Sequence, residues 1–299
     1  MIVTDYLRDK FSFSKLSTFS RCPRKAFYRY IMKKKELGVD FLLYGRAVHA
    51  GQEYDNLEKL KGKEVPVGEV LDAATASLEV EAKKEGVIPA VDTFWKEHEK
   101  QLGAFETSGE RAKIVPVPGT VEATFQLHVD VSNVLDEGSA VPAVVEGFVD
   151  VVSRAEDGRA VVVDYKSTER PFNSKDVTNS LQMSLYELGA ETDRSKFVSF
   201  VKQGKQKPTT KVSSCGTPSQ VRTEKTLTFL GDTISSFRRC VKTGDWPKCD
   251  PSCHWCSPKA CDFYELCYPR INPELSKFIS ISEVKPVGTL PQPDWRKSK

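Results

Sequence analysis

Asp150, Asp164 and Lys166 lie in the stretch EGFVDVVSRAEDGRAVVVDYKS, which reads as two strands joined by the turn residues EDGR. Asp150 ends the first strand. Asp164 and Lys166 stand two apart on the second, so strand alternation sends both to one face. The two carboxylates offer oxygen ligands to a hard divalent cation such as Mg2+, which keeps several waters and takes further ligands from a substrate phosphate. An ammonium beside them can orient or deprotonate an attacking water and stabilise charge growing on that phosphate. Solvated Asp–Lys pairs are the ordinary alternative on a hairpin. The run AVVV ahead of Asp164 argues against it, because such a run marks a sheet interior where unpaired charge is costly.

A second concentration of chemistry is CHWCSPKACDFYELC, which gathers Cys253, Cys256, Cys261 and Cys267 in a chain of 299 residues with 8 cysteines. The N-terminal MIVTDYLRDKFSFSKL lacks the apolar centre and cleavage site of an export signal. No apolar run approaches the ~18 to 20 residues that span a bilayer. The expected setting is therefore cytoplasmic, without a membrane partner. In a reducing compartment clustered thiols read as metal ligands rather than disulfides, and four thiolates suit Zn2+ as well as iron. Cys215 and Cys240 read as ordinary thiols.

Elements must position these groups. A helix capped by Ser14 or Ser17 is expected through Phe19, Phe27, Tyr30 and Ile31, a second over GVDFLLYGRAVHAGQEYDNLEKLKG, and two more over 67–84 and 91–106. The period then changes: GTVEATFQLHVDV, AVVEGFVDVVSR, RAVVVDYKST and KFVSFVKQ read as strands, with a helical segment at 174–190 and a long helix near 218–242. This is a mixed α/β chain, α+β in its segregation of helices and strands. Basic residues number 44 against 41 acidic, a net charge of only +3, yet RCPRKAFYRYIMKKK interleaves cations with rings. That pattern fits a solvated helix face or a nucleic-acid surface, and Arg24, Lys25 and Tyr28 are the contacts in the second reading.

EGFVDVV followed by VVVDYKS resembles the core of the PD-(D/E)xK nuclease superfamily, in its RecB-like exonuclease branch. GRAVHAG resembles that branch's helical histidine motif, QMSLYELG its Q-x-x-x-Y motif, and FSFSKLSTFSRCPRKAFYRYI its N-terminal signature with the pair Cys22–Pro23. The similarity spans roughly residues 12 to 270. It implies a restriction-endonuclease-like core sheet flanked by helices. The implied ligands of Mg2+ or Mn2+ are His49, Asp150, Asp164 and the Tyr165 carbonyl, with Lys166 as catalytic lysine and Gln182 and Tyr186 positioning the lysine or the DNA. Glu122 is a candidate supporting acid, for which a water-facing strand position is the plainer expectation.

Iron–sulfur members of the branch bind a [4Fe-4S] cluster through one N-terminal and three C-terminal cysteines. The resemblance implies Cys22 with Cys256, Cys261 and Cys267, or with Cys253 replacing Cys267; Zn2+ is the alternative metal. The implied activity is exonucleolytic hydrolysis of DNA, single-stranded or at duplex ends, in recombination, repair or viral DNA processing, beside a helicase or recombination partner. No GxxxxGK[ST] phosphate loop occurs in the sequence. A non-catalytic nucleic-acid-binding module is the competing class, disfavoured because Asp150, Asp164 and Lys166 are all retained. The expected divisions are a helical region at 1–110, a core at 111–245, a cysteine segment at 246–272 and a tail at 273–299, packed as one globular unit.

Overall fold

Ser12 ends the short strand β1 (Phe11–Ser12) and caps helix α1 (Phe13–Arg21), its side chain accepting the Lys15 N–H at 3.2 Å. The cap thus falls earlier than Ser14 or Ser17. The expected single helix is also interrupted, because Cys22 is extended (φ −157°) ahead of Pro23, whose ring disfavours a helical residue before it. The chain restarts as α2 (Pro23–Ala26) and widens into a π-helical turn at Phe27–Ile31. The computed structural model describes residues 10–34, 39–132, 140–202, 209–214 and 220–268. Cys215 and the tail at 273–299 lie outside them.

Three longer helices follow: α3 (Val39–Leu60), α4 (Val67–Glu85) and α5 (Val91–Thr107). The strands are β2 (Val115–Pro116), β3 (Ala123–Ser132), β4 (Ala140–Val149), β5 (Val151–Arg154), β6 (Ala160–Thr168), β7 (Ser195–Val201) and β8 (Thr209–Ser214). Between β6 and β7 come α6 (Ser174–Thr178) and α7 (Leu181–Gly189), and α8 (Gln220–Thr243) follows β8. The single helix expected over 174–190 is two, because Asn173 closes a capping box with Asp176 on α6 while Ser180 caps α7 anew.

The strands form two sheets, ordered β1-β4-β3 and β2-β5-β6-β7-β8. β6 and β7 are parallel, joined by the crossover that carries α6 and α7; the other pairs of the larger sheet are antiparallel. The apolar run AVVEGFVDVVSR, expected as one strand, divides at Asp150: β4 belongs to the smaller sheet and β5 to the larger. Side chains of Val151, Val163, Tyr165 and Phe200 enter a core with α3, α4 and α5, whereas Val152, Val162 and Phe197 pack with Val177 and Met183 of α6 and α7. A third cluster joins α1 and α8 to the smaller sheet through Phe11, Phe19, Val145 and Phe237.

The chain divides into two compact units, Met1–Cys249 and Asp250–Lys299. In the second, successive turns carry Cys253, Cys256 and Cys261 into the short helix α9 (Tyr264–Cys267). No described helix is long and apolar enough to cross a membrane.

Candidate active site

The sheet switch at Asp150 is where the acids meet. Asp150 is buried, and its Oδ2 accepts the backbone N–H of Tyr165 at 2.7 Å. Its Oδ1 lies 3.2 Å from Nδ1 of His49 on α3. Glu122 stands in the turn before β3, at φ +49°, and donates its backbone N–H to the Asp150 carbonyl at 2.9 Å. Ligand atoms of His49, Glu122 and Asp150 all lie within 4.8 Å of one another. The expected water-facing strand position of Glu122 is therefore corrected. Its signal was a strand start following Pro118–Gly119, which antiparallel pairing sets beside the end of β4.

Asp164 and Lys166 share the face of β6 that looks toward α7, as alternation requires. Lys166 Nζ donates to Asp164 Oδ1 at 3.0 Å and to Gln182 Oε1 at 3.4 Å. Gln182 Nε2 in turn reaches the Tyr186 hydroxyl at 2.8 Å and Asp164 Oδ1 at 3.4 Å. Asp164 Oδ2 is buried and, although Lys166 Nζ lies 2.7 Å away, accepts no hydrogen bond in good geometry. An anionic oxygen left this way is ready for a cation. With one imidazole and three carboxylates nearby, the donor set suits Mg2+ or Mn2+.

The electrostatics carry the same strain. Burial, then the neighbouring Asp150, lifts the Glu122 carboxyl to about 7; Glu53 and Asp164 add to this and His49 opposes it. Burial also raises Asp164, with Lys166 pulling it back and Asp150 pushing it further. Lys166 is held charged above the usual lysine range, because Asp164 and Asp150 outweigh its burial. For His49, burial opposes the charge, but Asp150 outweighs it and the pKa rises above 6.5. Tyr186 is moved to about 12 by burial and then Asp164, so its hydroxyl remains a donor at neutral pH.

The scaffold behind these groups is tightly fitted. Tyr165 sends its hydroxyl to Asn56 of α3, which donates Nδ2–H at 3.1 Å in a fully buried contact. Asn56 lies seven residues beyond His49, so one helix face touches both Asp150 and Tyr165; no motif marks that amide. The ring of Phe125 fills the space above Gly147 of β4 and Gly189 of α7, and any side chain on either glycine would collide with it. Phe125 meets Tyr186 edge-on, at 5.8 Å between ring centres.

Backbone pairing also orients the Tyr165 carbonyl. Val162 N–H donates to Arg194 O and Lys202 N–H to Thr168 O, so even-numbered residues of β6 turn their peptide groups toward β7. Odd-numbered residues turn theirs to the β5 side, where Asp150 stands. The expected DNA contacts lie elsewhere in the first unit: Arg24 donates Nε–H to the Trp246 carbonyl at 2.6 Å, Lys25 donates its backbone N–H to Cys22 Sγ at 3.4 Å, and Tyr28 lies against Phe27.

The family model described as PD-(D/E)XK nuclease superfamily matches residues 10–267. This chain belongs to that superfamily. As a PD-(D/E)XK chain it has nucleic acid as its substrate class and a mixed α/β core with helices on both faces of the larger sheet. A solved structure of a presumed exonuclease from Eubacterium rectale is similar in fold, with 12% identity, a TM-score of 0.51, and 84% of this chain and 88% of that chain covered. The structure of SSO0001 is also matched, at 12% identity over 90% of this chain and 93% of that chain, with a TM-score of 0.40. No curated protein matches the chain.

Proposed function

We propose that the protein is a metal-dependent DNA exonuclease that hydrolyses backbone phosphodiesters with Mg2+ or Mn2+. The observation that carries this reading is the convergence of His49, Glu122 and Asp150 beside a network in which half-buried Lys166, Gln182 and Tyr186 surround the buried Asp164. His49, Glu122, Asp150 and Asp164 hold the cation, with the Tyr165 carbonyl as a further ligand. When bound, the cation supplies positive charge that polarises the phosphate and acidifies a water. Lys166 sets its ammonium against charge developing on the phosphate and orients the attacking water. Gln182 holds Lys166 through its amide oxygen, and Tyr186 fixes the Gln182 amide. Arg24, Lys25 and Tyr28 remain proposed DNA contacts.

A [4Fe-4S] cluster held by Cys22, Cys256, Cys261 and Cys267, with Cys253 as the alternate ligand, forms part of the reading, on the resemblance of these cysteines to those of the iron–sulfur members. The Cys22 sulfur is half-buried at the start of α2 and accepts a backbone N–H, so it is already used as an acceptor. Zn2+ is the metal this assignment competes with. The setting is cytoplasmic, in recombination, repair or viral DNA processing beside a helicase or recombination partner.

The test is digestion of linear and closed circular DNA of one sequence. Linear DNA should be degraded only with Mg2+ or Mn2+, and circles should survive. Cleaved circles would overturn the exonuclease assignment, and intact linear DNA under every metal would overturn catalysis.

A further inference from the structure

Phe148 is 60% exposed, the most exposed phenylalanine or tryptophan among the described residues. Its position explains where that exposure is useful. Odd-numbered residues of β4, Ala143, Val145 and Val149, are buried in the core, so Phe148 belongs to the opposite face. That face is open: Thr124, Gln126 and His128 of β3 are exposed along it. Farther along, Glu146 is occupied by Gln126 at 2.7 Å and Lys10 at 2.6 Å. Its cross-strand partner is Thr124, a small side chain. Among the described residues no other ring packs on the Phe148 ring.

The same cross-strand pairing runs straight into the acids. Two residues past Phe148 is Asp150, and two before Thr124 is Glu122, itself hydrogen-bonded to the Asp150 carbonyl. The backbones of Phe148 and Asp150 therefore stand no more than about 7 Å apart, the rise of two strand residues. A phosphodiester held at the acids has its flanking bases within reach of that ring. Every base has an aromatic face, whereas in intact duplex those faces are already stacked on their neighbours.

We propose that Phe148 is the platform on which a base flanking the scissile phosphate stacks, so that the substrate enters as an unpaired strand or a frayed end. This inference rests on the nuclease reading above and adds a specificity-determining residue to it. An aromatic contact of this kind accepts any base, which suits processive removal of nucleotides from varied sequence.

The experiment compares full-length wild type with Phe148→Ala and Phe148→Trp on single-stranded DNA. Phe148→Ala should raise KM about ten- to a hundredfold, the range expected for one lost stacking contact, with kcat within about twofold. Phe148→Trp should restore KM. An exposed ring is expendable to folding, so the Phe148→Ala melting temperature should match wild type. A single strand carrying 2-aminopurine should lose fluorescence on binding wild type or the uncleaving Asp164→Asn protein, and keep it on Phe148→Ala. Equal KM and equal quenching in wild type and Phe148→Ala, with wild type cutting normally, would overturn the stacking role and leave the nuclease standing. If wild type cuts nothing, the nuclease reading fails, and unchanged 2-aminopurine quenching in Phe148→Ala still decides against the platform.

Discussion

Glu122 separates the geometry of this site from a generic pair of strand acids. Its carboxyl is lifted to about 7 by burial and by Asp150, so below that pH a cation must displace its proton. Mn2+ affinity, measured by titration calorimetry from pH 8 to pH 6, should weaken as pH falls through 7, and Glu122→Gln should flatten that dependence while weakening binding at pH 8. Stability carries the opposite sign in the metal-free protein. A folded pKa above the unfolded 4.5 means the fold gains protons there, so this group's contribution is fully present below pH 4.5 and lost as pH rises through about 7. Added Mn2+ should accordingly raise the melting temperature more at pH 8 than at pH 6.

Among elements, the contact between β4 and α7 is set by Phe125 lying over Gly147 and Gly189. Gly147→Ala should force that ring away and disturb Tyr186, costing about 1 to 3 kcal/mol of stability by denaturant titration, as overpacking does. Adding Phe125→Leu should recover part of the loss. The helices over 67–85 and 91–107 and strand β6 were legible because their apolar periods are uninterrupted. The division of β4 from β5 was not, since AVVEGFVDVVSR runs through Asp150 with no proline or paired turn residues to mark the change of sheet. β8, read off TTKVSS, has a single large apolar residue and so gave no strand signal. Asp150, Asp164 and Lys166 stood out as residue types at fixed spacing, and Gln182 and Tyr186 through the family resemblance, whereas the placing of Glu122 beside Asp150 and the role of Asn56 needed the fold, because what recruits them is cross-strand and helix-to-sheet contact.

For the molecule as a whole, acid sensitivity has a source away from the site. His98 is buried against Phe94 and Phe200, and burial depresses its pKa to about 4, against the hydrogen bond from its Nδ1 to the Gln101 amide oxygen, which raises it. The unfolded chain protonates this imidazole near 6.5 and the fold only near 4, so stability should fall across that window, by up to about 3 kcal/mol. His98→Gln should reduce the slope of melting temperature against pH over the same range. The proposed cluster gives a second whole-chain prediction: Cys267→Ser should lower iron content and Cys253→Ser should not, with the reverse result assigning the alternate ligand and zinc in place of iron refuting the cluster. The central claim, that these acids hold the cation of a hydrolytic site, rests most directly on Asp164→Asn. Release of nucleotides from end-labelled single-stranded DNA with Mg2+ should fall at least a hundredfold from wild type, with the melting temperature preserved; release at the parental rate would contradict it.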